Sequence, residues 1–137
     1  MIKAQILITL CSILSLDVLA GTPAPLNAEL YFITPSNGDI VSSPVTVKFG
    51  LRNMGVAPAG VQVENTGHHH LLIDIDLPAM NQSVPKDNQH LHFGNGQTET
   101  ELELAPGKHT LQLLLGDFSH IPHVPPLVSD KITVTVE

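Results

Sequence analysis

Prolines and glycines occur throughout the chain, and their spacing is the feature that most constrains the fold. The 137 residues include eleven prolines and ten glycines, which separate short stretches where apolar and polar residues alternate. Proline interrupts a helix, whereas an apolar residue at every second position is typical of a strand with one buried face. The pattern therefore predicts an all-β chain of short strands joined by turns.

The first twenty residues differ in character from the rest. A short basic start at residues 1–3 is followed by a largely apolar run at 6–16, and the small residue Ala20 precedes Gly21. This is the pattern of a secretory signal peptide cleaved after Ala20, and the run is too short to span a membrane. We expect residues 1–20 to be a signal peptide, residues 21–137 to be one domain, and the mature protein to be periplasmic or secreted.

Charge and cysteine usage restrict the possible partners. The formal net charge is −7 and the chain has no basic run, so nucleic acid and anionic membrane surfaces are poor partners while cations are better ones. The only cysteine, Cys11, lies in the predicted signal peptide. The mature chain would therefore have no disulfide and no thiolate metal ligand.

Strand counting leads to a specific architecture. Seven stretches show strand patterns, at about 28–33, 45–51, 68–76, 90–93, 97–104, 109–115 and 132–136. Seven is the strand count of a constant-type immunoglobulin-like β-sandwich. The turn at Pro106 and Gly107 resembles the corner of that fold where a tyrosine hydrogen-bonds back to the backbone, and His109 occupies the position of that tyrosine.

Histidines are concentrated in the third of these stretches. His68, His69 and His70 run directly into the apolar alternation that ends near Leu77. Side chains alternate between the two faces of a strand, so His69 is predicted to face the core and His68 and His70 to project together on the other side. The same spacing recurs at His90 and His92.

The predicted topology brings distant histidines together. In an immunoglobulin-like sandwich the loops after the second, fourth and sixth strands gather at one end. His109 would lie at the opposite end, and we interpret His69 and His109 as structural residues. Six candidate metal ligands would converge at the first end: His68, His70, His90, His92, His120 and His123.

Two further residues are candidate ligands at this end. Neutral imidazole is a common ligand of zinc and copper, and the thioether of Met54 would suit reduced copper. The alternative for Met54 is a packing residue. Asp117 is either a hard ligand or an acceptor that fixes the tautomer of an imidazole.

The motifs resemble one protein family. Residues 66–74 (TGHHHLLID), 92–99 (HFGNGQTE), 106–113 (PGKHTLQL) and 120–123 (HIPH) are similar to those of the exported bacterial domains grouped as domain-of-unknown-function family 4399. The resemblance extends over about residues 29–136. It implies a small periplasmic or secreted domain and brings no established activity with it.

Three functions are compatible with these residues. The first is an exported, histidine-rich domain that binds copper or zinc, for delivery to a periplasmic metalloprotein or for sequestration. The second is a structural or protein-binding module whose histidines hold loops together by hydrogen bonds. The third is a metal-dependent hydrolase, although no nucleophile elbow, glycine-rich phosphate loop or paired-carboxylate motif supports an enzyme.

Overall fold

The computed structural model describes residues 20–137, and the predicted signal peptide up to residue 19 lies outside the described residues. Within the described part the chain forms nine strands and no helix, so no helix there could span a membrane. The strands are β1 (Glu29–Thr34), β2 (Ile40–Val41), β3 (Val45–Arg52), β4 (Gly55–Val56), β5 (Thr66–Ile73), β6 (His90–His92), β7 (Glu99–Leu102), β8 (Gly107–Gly116) and β9 (Ile132–Val136).

The strands form two sheets that pack face to face. The first sheet has the order β1-β3-β7, and the second has the order β2-β9-β8-β5-β4, with β6 also paired to β5. The core between them takes Val47 and Phe49 from the first sheet and Leu71, Leu113 and Val134 from the second. The all-β sandwich and its seven predicted strands are confirmed, and β2 and β4 are two-residue additions.

The fourth predicted strand lies in a different sheet from the one expected. A constant-type immunoglobulin-like sandwich pairs the fourth strand with the fifth. Here β6 pairs instead with β5, with Leu91 opposite Leu71. Phe93, the residue that follows β6, helps to hold the strand in this sheet. Its backbone N–H donates to the carbonyl of His69, and its ring packs 4.8 Å from the Phe49 ring in the core. The constant-type assignment is therefore wrong at this strand.

The two faces of β5 have different surroundings. Leu71 and Ile73 point into the main core, and the His69 ring lies 5.1 Å from the Phe49 ring, as the alternation predicts. On the opposite face, Leu72 packs with Leu114. Residues of the connection from β5 to β6 cover this face. His68 and His70 are consequently buried on the outer side of the second sheet.

His109 fills the role that the corner pattern predicts. Its Nε2–H donates to the carbonyl of Ala105 at 2.8 Å, and its Nδ1–H donates to the Asp74 carboxylate at 2.7 Å. Asp74 also accepts the Thr110 N–H, and its positive φ of 54° ends β5 earlier than the pattern of the sequence suggests. Because both ring nitrogens face acceptors, the hydrogen bond to Asp74 raises the pKa of His109.

Candidate metal centre

Four imidazole rings meet on the outer side of the second sheet. His68 and His70 come from β5, and antiparallel pairing places His92 of β6 directly opposite His70. His120 comes from the turn that follows β8. The six distances between the ring centroids range from 4.7 Å for His92 and His120 to 6.2 Å for His70 and His120. We call these four residues the histidine cluster.

Three members of the histidine cluster present nitrogen atoms to a common point. One ring nitrogen each of His68, His70 and His92 lies within 4.8 Å of the other two. Tetrahedral coordination with bonds of about 2.0–2.1 Å requires ligand nitrogens about 3.3 Å apart. Small ring rotations would therefore close these three imidazoles on one ion.

Five ring nitrogens of the cluster lack hydrogen-bond partners. Both nitrogens of His68, both of His70 and Nε2 of His92 are buried and unpartnered. A buried polar group left without a partner costs about 1–3 kcal/mol, and such groups are rare in native structures. His69 also has two unpartnered nitrogens, but in the cluster one nitrogen each of His68, His70 and His92 also lies within 4.8 Å of the other two, so one ligand could partner all three rings.

Burial keeps these imidazoles neutral. It lowers the pKa of His68 to about 4 and that of His70 to about 3, and the neighbouring imidazoles add to the effect. The pKa of His92 is also lowered, first by burial and then by the electrostatic effect of the neighbouring His120 and Lys86. Neutral imidazole is the form that binds a metal, so the site is ready for an ion at neutral pH.

Two glycines make room for the rings. A Cβ on Gly116 would lie 2.6 Å from Cε1 of His70, and a Cβ on Gly94 would overlap the ring of His92. No side chain could occupy these positions without displacing a ring. The sequence does not reveal this role of Gly94 and Gly116, because only the fold brings the two positions beside the rings.

Asp117 shapes the turn that carries His120. Its Oδ1 accepts the backbone N–H groups of Ser119 and Ile121 at 2.8 and 3.0 Å, and its Oδ2 accepts that of Thr22 at 3.1 Å. His120 itself has a φ of 67°, in the left-handed region. Through these three backbone hydrogen bonds Asp117 holds the turn that carries His120.

A shallow cavity connects the cluster to the surface. The connection between β5 and β6 lies over the cluster and is tied to the His120 turn: Val84 N–H donates to the carbonyl of His120, and the Ser83 hydroxyl donates to that of Ser119. Beside these contacts is a cavity of about 250 Å³. Its lining residues are His70, Ser83, Val84, Pro85, Lys86, His92 and His120.

The other predicted ligands lie apart from the cluster in the described structure. His90 donates from Nδ1 to Asp87 Oδ1 at 2.8 Å. His123 is buried with its Nδ1 3.0 Å from the Thr22 hydroxyl and 3.1 Å from the Thr22 carbonyl. Met54 packs against the hydrophobic core, which agrees with the packing alternative. The expected convergence thus holds for His68, His70, His92 and His120.

The fold and the cluster together define a class. The protein is an all-β sandwich with a buried group of histidines that could hold a metal ion. The family model described as "Domain of unknown function (DUF4399)" matches residues 47–137, and the chain belongs to this family. No match is found among the curated proteins or among the solved structures.

Proposed function

We propose that this protein is an exported metal-binding domain that holds one zinc or copper ion in the histidine cluster. The observation that carries the proposal is that His68, His70 and His92, whose buried ring nitrogens lack hydrogen-bond partners, each present one nitrogen within 4.8 Å of the other two. A metal ion would accept a lone pair from each ligating nitrogen and would offset the cost of burying those nitrogens.

The spacing of the rings favours a tetrahedral ion. With metal–nitrogen bonds of 2.0–2.1 Å, ring centroids lie about 3.2 Å from the ion, which places them about 5.2 Å apart in a tetrahedron. A square-planar ion would need two long separations, across the square, of about 6.4 Å. Five of the six observed distances lie between 4.7 and 5.2 Å, and one is 6.2 Å. Geometry therefore favours zinc over divalent copper, although a flexible imidazole site would prefer copper.

The hydrogen-bonding alternative describes other histidines better than the cluster. A module whose histidines only hold loops together should show ring nitrogens bonded to those loops, as His109 and His90 do. Both nitrogens of His68 and of His70 instead lack such bonds, as do those of His69. Unlike His69, however, His68 and His70 share one point with His92, and metal binding accounts for this convergence whereas the structural alternative does not.

Export would place the domain where it could receive metal outside the cytoplasm. The support for export is the basic and apolar start of the chain and the small residue at position 20. A domain with one site and a surface opening suits sequestration of the ion or its transfer to a periplasmic metalloprotein. Intact mass of the mature protein tests this part: cleavage after Ala20 is expected, and retention of residues 1–20 would contradict it.

Calorimetric titration of the tag-free protein with Zn²⁺ and Cu²⁺ tests the binding proposal. We expect one ion per chain and a dissociation constant below about 10 μM, a level that an exposed histidine pair could reach alone. Replacing His70 and His92 together by Ala should abolish binding. Affinity no tighter than that limit for both metals would refute the proposal.

His109→Gln is the matched control. This residue is a histidine held by hydrogen bonds to Asp74 and Ala105, apart from the cluster. We expect the variant to be less stable and to bind one ion with unchanged affinity. Loss of binding in this variant would mean that the double variant fails through general destabilisation.

A further inference from the structure

The proposed metal site contains an imbalance of charge. Four neutral imidazoles around a divalent ion leave two positive charges in a largely buried position, and buried charges are normally paired. The Asp117 carboxylate lies close enough to raise the pKa of His68 slightly, but its oxygens accept three backbone N–H groups. It therefore compensates the ion only in part.

A lysine beside the cluster adds a further positive charge. Lys86 lines the cavity together with His70, His92 and His120, and none of its lining residues is acidic. Asp87, the next residue, has its carboxylate turned to His90 and to the N–H of Gln89. An anion entering the cavity would meet the ammonium group of Lys86 on one side and the metal on the other.

We propose that this cavity is an anion-binding site, where a small anion ligates the metal of the histidine cluster and pairs with Lys86. The inference rests on the metal-binding function proposed above and adds a second ligand to it. The anion would take the coordination position on the cavity side. His120 is the imidazole with which it competes, because His120 lines the cavity and lies outside the group of three residues whose nitrogens are within 4.8 Å of one another.

The cavity has room for a small inorganic anion. Its volume of about 250 Å³ exceeds what azide, carbonate or phosphate needs, and these anions are the simplest probes of the site. Each of these anions can coordinate a metal through one oxygen or nitrogen atom and direct another negatively charged atom toward an ammonium group. Lys86 would contribute mainly through its charge.

Cobalt provides the test, because the visible absorption of Co²⁺ changes with its ligands. The tag-free protein loaded with Co²⁺ is titrated with azide, and phosphate is then added as a competitor. We expect a saturable spectral change that phosphate reverses. Lys86→Gln should weaken azide binding about fivefold, the effect of one charge near the surface at short range. His120→Ala should strengthen azide binding, because it opens the contested position.

Lys131→Gln is the control, since this lysine pairs with the exposed Asp76, away from the cavity. It should bind azide as the wild type does. The proposal is overturned if neither the wild type nor His120→Ala responds to azide, or if Lys86→Gln responds with unchanged affinity. A protein that does not take up Co²⁺ at all would refute the metal site itself, which is a different result from a loaded protein that ignores anions.

Discussion

Replacing a buried ligand by an apolar residue should make the metal-free protein more stable. His70 is 1% exposed and both its ring nitrogens lack partners, so the folded protein bears their desolvation cost. Each unpartnered group costs about 1–3 kcal/mol, and the shape change from histidine to leucine costs up to about 1.5 kcal/mol. We expect His70→Leu to raise the free energy of unfolding by about 1–3 kcal/mol when metal is removed by a chelator.

Zinc should reverse the order of stability, so that the wild type becomes more stable than His70→Leu. A ligand that binds only the folded state stabilises it by about 4.1 kcal/mol at a free concentration one thousand times its dissociation constant, which exceeds the gain expected for His70→Leu. The wild type gains this amount and His70→Leu does not. Urea unfolding at pH 7, with chelator and then with buffered free zinc, measures both states of both proteins.

His69→Leu is the matched control for this experiment. His69 is adjacent in sequence, is fully buried and also has two unpartnered ring nitrogens, but it faces Phe49 in the core. The variant His69→Leu should be more stable than the wild type in chelator, and zinc should raise its free energy of unfolding by the same amount as for the wild type. If His70→Leu is instead less stable than the wild type by more than about 2 kcal/mol in chelator, the reasoning about unpartnered nitrogens is wrong.

Three further outcomes follow from the structure. The pKa values of about 4 for His68 and about 3 for His70 mean that below pH 6.5 the unfolded chain takes up protons that the folded chain does not. Stability without metal should fall, on the order of 3 kcal/mol per histidine by pH 4, as urea unfolding between pH 4 and 7 would show; a flat profile would contradict this. The hydrogen bond to Asp74 raises the pKa of His109. The protonated ring therefore stabilises the folded protein fully below pH 6.5, and this stabilisation is lost at higher pH. His109→Gln should therefore cost about 1–2 kcal/mol at pH 6 and less at pH 9, and an equal cost at both would argue against a charged ring. Asp117→Asn places an amide group against the Thr22 N–H and should lower zinc affinity about tenfold in titration, whereas unchanged affinity would show that the turn does not position His120.

The fold and half of the cluster could be predicted from local patterns. Alternation along β5 places His69 inside and His68 and His70 outside, because the two faces of a strand are fixed by its geometry. The corner at His109 could also be predicted, since the Pro-Gly turn sets the start of β8. Both predictions depend on residues that are close together in the sequence.

The details of the site depend on contacts that local patterns do not specify. His90 and His92 have the same spacing as His68 and His70, yet only His92 joins the cluster, because β6 pairs with β5 in the register that sets it opposite His70. His90 is drawn instead to Asp87. The prediction that His92 meets His68 and His70 is correct, but the expected reason, convergence of loops at one end of the sandwich, is not. His92 reaches the cluster because β6 pairs with β5.

The turn after β8 is a second feature of the site that local sequence patterns do not predict. His120 and His123 are three residues apart, and sequence alone treats them alike. The carboxylate of Asp117 and the residue Thr22, nearly one hundred positions away, hold this turn so that His120 reaches the cluster while His123 binds Thr22. The positive φ of His120 is part of the same geometry. No short-range pattern encodes it.

Anomalous diffraction from crystals of the zinc-loaded, tag-free protein tests the central claim most directly. We predict a single zinc peak enclosed by the histidine cluster, with nitrogen atoms of His68, His70 and His92 about 2.0–2.1 Å away and His120 or an anion in the fourth position. A zinc peak at a histidine outside the cluster, or no peak at saturating zinc, would contradict the claim.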